Sequence, residues 1–393
     1  MKVGLISDLH FGFGEEEIYE DVFKIASKIF EKMKDCDIIF LLGDVFDSRN
    51  PSLETIVKAI RVFNNIEKSG EIELKVNGKI EKFRKPAVFA IHGNHDRRTK
   101  LESSPLKILE EVGILRYDNF FEIIDEKNKV AFFAMSNFPE AYAKKILFEK
   151  FDPKPKENYL NFLMLHQNIY PYVYSNEESS LKVTDLPKNF DLIIDGHIHL
   201  KRFEKEFKLL ILGSPIITRI EKNELEEERG FHILEIENGN FEIKFYPIEK
   251  ERNYYLLEFN SKEDFSVLEQ KIQEIIKKEK AKPVIKVKVY GEKPIATRFL
   301  RKIEEVYKEK SIIKIENLTV SEEVVKISEK IKEFREGKSV REIILEELLK
   351  RLEENNFSKI FNVLEIIELL EDGDTESIID ILLGQQKTLA SFK

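Results

Sequence analysis

The stretch that decides the fold is Ala87-Val88-Phe89-Ala90-Ile91-His92-Gly93-Asn94-His95-Asp96. Its first half is a short apolar run with the length of a buried strand. Its second half sets a glycine, an amide, an imidazole and a carboxylate in a row, followed by the basic Arg97-Arg98-Thr99-Lys100. Such a row makes a poor piece of core. It makes a good metal-site rim: the amide oxygen ligates, the imidazole ligates or donates a proton, and the glycine lets backbone approach closely. Alone, the row is as readily an ordinary turn. Its weight comes from four other apolar runs that end in the same class of residue.

Residues 2–7 form one such run, ending at Asp8-Leu9-His10. Residues two apart in extended chain share a face, so Asp8 and His10 can serve one ion together. Residues 37–42 form the next, ending at Gly43-Asp44-Val45-Phe46-Asp47. Residues 159–165 end at His166-Gln167, and residues 191–195 at Gly196-His197-Ile198-His199. Between the runs, 18–34 and 53–68 have helical periodicity, with Ser52 a fitting N-cap. Asn77-Gly78 signals a hairpin within 71–83, read as a surface excursion. Runs at 130–134, 209–212, 231–236 and 241–248 read as further strands, and helix alternating with strand argues for a layered α/β domain.

Asp8, His10, Asp44, Asn94, His95, His166, His197 and His199 thus converge on one rim, where layered α/β proteins place ligands. They include five of the chain's seven histidines. Imidazole, carboxylate and amide oxygen without thiolate suit manganese, iron or zinc. So many ligands exceed the need of one ion and fit two, roughly 3.5–4 Å apart and bridged by a carboxylate, which would clamp a phosphodiester and activate a water. One histidine should stay unligated to protonate the leaving alkoxide, and the residues by themselves leave open which.

The bulk numbers set the frame. The chain has 393 residues, enough for two or three domains, and a formal net charge of −9, so a polyanion would have to be met by a local basic patch or bound cations. The single cysteine, Cys36, excludes an intramolecular disulfide and any multi-cysteine metal site. No apolar run is long enough to span a bilayer and no signal-peptide pattern opens the chain, so the expectation is a soluble cytoplasmic protein with no membrane partner. Past residue 250 the order becomes strand, helix, strand, helix, strand without metal-type clusters. From 321 onward the chain reads as charged helix, with wide apolar stripes within 343–383.

Taken together, Asp8-x-His10, Gly43-Asp44, Gly93-Asn94-His95-Asp96, His166 and Gly196-His197-x-His199 match in order the five motifs of the calcineurin-like metallophosphoesterases, which this chain resembles. Gly43-Asp44-Val45-Phe46-Asp47-Ser48-Arg49-x-Pro51-Ser52, His166-Gln167 and the downstream order sharpen the resemblance to the archaeal Mre-eleven (SbcD-type) family of DNA double-strand-break repair nucleases. The resemblance implies an α/β class: a layered metallophosphoesterase sandwich over 1–249, a small α/β capping domain over 250–317 that selects DNA, a helical linker over 318–342 and a helical tail over 343–393. It implies two manganese ions per subunit, with magnesium or another divalent ion as a substitute. Asp8, His10, Asp44 and His199 would hold one ion, Asp44, Asn94, His166 and His197 the other, with His95 the proton donor. It also implies 3′-to-5′ exonuclease action on duplex DNA, endonuclease action on single-stranded or hairpin DNA, a homodimer, and a place at the nucleoid of a cell without a nucleus.

Two departures from the family pattern stand out: Asp47 takes a position where several relatives have histidine, and Asn168 replaces a glycine common after His-Gln. Asp96 is read equally as an acceptor for His95 and as a residue holding the turn. His92 and His232 are read as structural. Arg49, Arg97, Arg98 and Lys100 beside the motif loops are candidate DNA-phosphate contacts. Leu345, Leu348, Leu349, Leu352, Phe357, Ile360, Phe361 and Leu364 form the tail's apolar stripe, for which the family's partner is the Rad-fifty ATPase. The competing readings are a protein phosphatase or cyclic-nucleotide phosphodiesterase on the same fold, and a scaffold that bridges DNA ends.

Overall fold

The computed structural model describes residues 1–97, 104–173, 181–291 and 297–319, without the side chains of 297–300. In chain order the elements are β1 (Lys2–Ile6), α1 (Glu16–Lys32), β2 (Ile38–Leu42), α2 (Leu53–Asn64), β3 (Glu71–Val76), β4 (Lys79–Arg84), β5 (Ala87–Ile91), α3 (Leu106–Glu111), β6 (Arg116–Tyr117), β7 (Phe120–Asp125), β8 (Val130–Met135) and α4 (Glu140–Lys145). There follow β9 (Leu160–Leu165), β10 (Ile169–Tyr170), β11 (Leu181–Lys182), β12 (Leu192–Asp195), β13 (Arg202–Glu204), β14 (Leu209–Ile211), α5 (Lys222–Glu226), β15 (Gly230–Glu237) and β16 (Asn240–Pro247). The last elements are β17 (Tyr254–Asn260), α6 (Phe265–Lys278), β18 (Val284–Tyr290), α7 (Thr297–Tyr307) and β19 (Ile312–Asn317).

Two mixed sheets form the site-bearing part. The first has the order β16-β15-β1-β2-β5-β6, the second β13-β14-β12-β9-β8-β7-β3-β4. The motif strands are apolar on both faces because both faces are covered. Val3, Leu5, Phe40, Leu42, Phe89 and Ile91 pack with Phe132, Phe162, Met164 and Ile194 in one core between the sheets. On the other side of the first sheet, Ile6, Ile39, Leu41 and Ala90 pack with Val22, Ala26, Ile29 and Phe30 of α1 and with Ala59 and Phe63 of α2. The α2 start follows the sequence signal, with the Ser52 hydroxyl accepting the Thr55 N–H at 3.1 Å.

The hairpin around Asn77-Gly78 is more than a surface excursion. Its first strand pairs antiparallel with β7, Lys75 opposite Ile124 and Val76 opposite Ile123, so the hairpin extends the second sheet. The reason lies in alternation: Leu74 and Val76 face the core between the sheets while Glu73 and Lys75 face away from it.

β1, β2 and β5 run parallel, as do β8, β9, β12 and β14. Their C-terminal ends therefore come out on shared edges, and each edge carries motif residues. The chain divides into two compact units. The first comprises Met1–Leu257, Glu269–Val287 and Ile303–Lys314 and contains both large sheets; the described part of the second lies within Glu258–Leu268, Lys288–Lys302 and 315–319. The last three strands form a sheet of order β17-β18-β19. Among the described residues no helix is long and apolar enough to cross a membrane.

Candidate metal centre

The loops after β1 and β2 run side by side as a continuation of their parallel strands. Asp8 N–H donates to Gly43 O at 3.1 Å, His10 N–H to Asp44 O at 2.9 Å, Phe11 N–H to Val45 O at 2.8 Å and Asp47 N–H to Phe11 O at 3.1 Å. This register brings Asp8, His10, Asp44 and Asp47 into one cluster. Asp8, His10, Asp44 and His197 all have positive φ, between 40° and 54°. That left-handed backbone is uncommon for residues other than glycine and concentrates at functional sites. Gly43 shares it, at φ +86°, and a Cβ there would lie 2.1 Å from His166 Nδ1. A Cβ on Gly93 would lie 2.0 Å from Asp44 Oδ1. Both glycines are thus required by close approach.

Among the described residues three groups of potential ligand atoms result: Asp8, His10 and His199; Asp44, His166 and His197; and His10, Asp47 and His95. His199 Nε2 lies 3.6 Å from Asp8 Oδ1, and His166 Nε2 lies 3.4 Å from Asp44 Oδ2. His10 Nε2 lies 3.9 Å from Asp8 Oδ1 and 4.0 Å from Asp44 Oδ2, so Asp44 stands between the first two groups. The Asp44 carboxylate also accepts the His95 N–H at 2.8 Å.

Most of the imidazoles are anchored by Nδ1. His10 Nδ1 donates to Asp47 Oδ1 at 3.1 Å, and His166 Nδ1 to Leu42 O at 2.7 Å. His199 Nδ1 lies 2.8 Å from the Thr218 hydroxyl, and His95 Nδ1 donates to Asp47 O at 2.8 Å. These contacts leave Nε2 as the outward ring atom. His197 is the exception, its Nδ1 lying 3.2 Å from His166 Nε2.

The residues present fit divalent cations. Both carboxylate oxygens of Asp8, Nε2 of His10 and Oδ1 of Asn94 are buried without a hydrogen-bond partner. Buried acceptors left so are costly, and cations satisfy them. The electrostatics agree. Burial pushes the Asp8 carboxyl up to about 6. At Asp44 burial works the same way, but the His166 and His10 imidazoles outweigh it and hold the carboxyl below its ordinary range. Burial opposes charge on His166, yet the Asp44 and Asp8 carboxylates push it up to about 10, while burial pushes His197 and His199 down to about 3. Asp44 therefore keeps its negative charge against the raised His166 and His10 imidazoles, while His197 and His199 stay neutral.

The surroundings also explain residues left open in the sequence. Asp96 turns away from the His95 role: its Oδ2 accepts the Val45 N–H at 2.8 Å and its carbonyl accepts the Ser104 hydroxyl at 2.9 Å, so it holds the turn. His92 donates from Nε2 to Asn137 O at 3.1 Å and pairs at Nδ1 with the Tyr117 hydroxyl at 2.9 Å. His232 is buried in β15. Three supports escaped the sequence reading: Thr218 on His199, Asn137, whose amide donates to His166 O at 2.9 Å, and Arg229, which donates to His199 O at 2.9 Å. None of these belongs to a motif, and no periodic signal marks them.

Of the candidate phosphate contacts, Arg97 donates to Asn137 Oδ1 at 3.3 Å. Burial, with the Arg49 guanidinium adding to it, lowers the Arg97 pKa. Arg98 and Lys100 lie outside the described residues, as do Leu345, Leu348, Leu349, Leu352, Phe357, Ile360, Phe361 and Leu364.

A two-sheet sandwich with this acceptor-lined rim defines a metallohydrolase of the phosphoesterase type. The chain belongs to the calcineurin-like phosphoesterases, whose family model matches residues 1–201 of the 393. It is also similar to proteins named DNA double-strand break repair protein Mre11. With that of Methanopyrus kandleri it is 24% identical over 288 residues, 66% of this chain and 59% of the relative. With that of Methanocaldococcus jannaschii it is 27% identical over 307 residues, 73% and 76% of the two chains. With that of Methanococcus maripaludis it is 21% identical over 398 aligned residues, 95% and 96% of the two.

Proposed function

We propose that this protein is a metal-dependent DNA nuclease of double-strand-break repair. The observation that carries the reading is the set of buried acceptors without partners on Asp8, His10 and Asn94, beside Asp44 at the shared edge of two sheets. The names of its relatives supply the substrate class. Asp8, His10, Asp44 and His199 would hold one ion, and Asp44, Asn94, His166 and His197 a second, manganese being the expected metal. Bound there, the ions would supply Lewis-acid polarisation of a phosphodiester and a water acidic enough to attack at neutral pH.

The chain's own part is positioning and proton transfer. His95 is anchored through Nδ1 by a backbone carbonyl, and its side chain is 41% exposed. Its Nε2 would face substrate and donate a proton to the leaving oxygen. Arg49 and Arg97 would meet backbone phosphates. The segment 250–317 would act as the capping domain that selects DNA, 318–342 as linker, and the helices of 343–393 as the grip on a Rad-fifty type ATPase, with the nuclease working as a homodimer at the nucleoid. The proposed activities are 3′-to-5′ exonuclease on duplex DNA and endonuclease on single-stranded or hairpin DNA.

The test is cleavage of labelled duplex and single-stranded DNA with Mn²⁺, Mg²⁺ or EDTA, comparing wild type with His95→Ser. The reading expects Mn²⁺-dependent cleavage that the variant loses while keeping its metal. Hydrolysis of a generic phosphodiester without cleavage of DNA would replace the nuclease with a broader phosphoesterase.

A further inference from the structure

Two oxygens of Asp47 face two different histidines. Its carboxylate Oδ1 lies 3.1 Å from His10 Nδ1 and 3.9 Å from His95 Nδ1. Its backbone carbonyl lies 2.8 Å from His95 Nδ1. Only the first and third of these are hydrogen-bond distances. The division of labour is therefore clear: the side chain serves His10, the main chain serves His95.

We infer that the Asp47 carboxylate is the positioning residue of the metal-ligating His10, fixing its ring and tautomer so that Nε2 faces Asp8 and Asp44, and that His95 does not depend on this side chain. The inference rests on the metal-centre reading above and deepens it.

The geometry supports each part. The His10 side chain is 2% exposed, so its Nδ1–H has no solvent to fall back on. The Asp47 side chain is 31% exposed and stands at the outer end of the pair, where a carboxylate is readily hydrated. The neighbours of the His10 ring are His95 and His199, at centroid distances of 4.8 Å and 5.3 Å. Neither ring accepts a hydrogen bond from His10 Nδ1, so Asp47 is the acceptor that settles which nitrogen carries the proton. An acceptor behind a ligating histidine orients the ring and raises its basicity, and losing such a partner weakens metal binding about 10–100-fold. The loop register leaves little freedom here, because Asp47 N–H is itself tied to Phe11 O at 3.1 Å, one residue beyond His10.

The experiment compares wild type, Asp47→Asn and Asp47→Leu by calorimetric titration with Mn²⁺, by electron paramagnetic resonance of the bound metal, and by cleavage of single-stranded DNA across a Mn²⁺ series. Melting of each metal-free protein checks folding. Asp47→Leu should bind one equivalent of Mn²⁺ about 10–100-fold more weakly, and its cleavage deficit should shrink as Mn²⁺ rises. Asp47→Asn, whose amide oxygen still accepts from Nδ1–H, should recover most of the affinity. Unchanged affinity in Asp47→Leu would overturn the inference. So would a cleavage deficit that persists at saturating Mn²⁺, which would assign the carboxylate to His95. A wild-type equivalent of metal that Asp47→Leu loses altogether would make His10, Asp47 and His95 a metal site in their own right, again overturning it. Wild type that binds Mn²⁺ but leaves DNA intact would refute only the nuclease reading, since the titrations still decide the role of Asp47.

Discussion

The Thr218 hydroxyl lies 2.8 Å from Nδ1 of His199, nineteen residues back along the chain, and His199 Nε2 in turn lies 3.6 Å from Asp8. A residue from outside every motif thus sets the orientation of one from inside. Thr218→Val keeps the branched shape and removes the hydroxyl. The expected outcome is Mn²⁺ binding about 10-fold weaker, read by calorimetry, with a melting temperature of the metal-free protein close to wild type.

Gly93 has no room for a methyl group, since a Cβ would lie 2.0 Å from Asp44 Oδ1 and 2.5 Å from Asp44 N. Gly93→Ala must displace the carboxylate that stands between the two ligand groups. Overpacking of this kind costs about 1–3 kcal/mol. Urea denaturation should register that loss, and Mn²⁺ titration should show both sites weakened, because Asp44 lies between them.

His232 predicts part of the acid sensitivity. Burial, with help from the Lys201 cation, pushes its imidazole from an ordinary 6.5 down to about 4. Between these values the unfolded chain takes up a proton that the folded chain resists. Stability from this group is therefore full above pH 6.5 and falls as pH drops towards 4. His232→Gln cannot titrate, so its plot of unfolding free energy against pH should be shallower than that of wild type over this window. Parallel curves would exclude the role.

Asp21 of α1 and Arg252 form a buried ion pair, with Arg252 Nη2 donating to Asp21 Oδ1 at 3.0 Å and Nη1 to Lys282 O at 2.9 Å. Removing one member strands a buried charge. Asp21→Ala should cost about 3–5 kcal/mol in chemical denaturation. Replacing both, as Asp21→Leu with Arg252→Met, should recover most of the loss, because the cost lies in the uncompensated charge.

Metal removal should act on stability as well as on activity. The unpartnered buried atoms of Asp8, His10 and Asn94 belong to the folded chain alone. A cation that binds there stabilises by mass action, about 2.7 kcal/mol at a hundredfold excess over its dissociation constant. The melting temperature should rise with Mn²⁺ and fall back with EDTA. A melting temperature indifferent to both would mean that these atoms do not bind the ion.

Much of the architecture could be read locally. A buried strand is an apolar run of fixed length, and its end is where polar chemistry begins, so Asp8, Asp44, Asn94, His166 and His197 announced themselves at β1, β2, β5, β9 and β12. The hairpin at Asn77-Gly78 was visible for the same reason, its turn chemistry being local. Its place in the second sheet was not, because pairing with β7 is a contact between strands more than forty residues apart.

By itself, then, the sequence determined which side chains this protein has to offer and at which strand ends they stand, because periodicity and turn chemistry act over a few residues. Tertiary structure alone decided which atoms face which. It gave the Asp47 side chain to His10 and its carbonyl to His95, left Asp96 to hold the turn, and brought Thr218 and Arg229 behind His199 and Asn137 behind His166. The physical reason is that a hydrogen bond is settled within a few tenths of an ångström and a few tens of degrees. Strand register and the packing of two sheets fix such distances, and no local pattern records them.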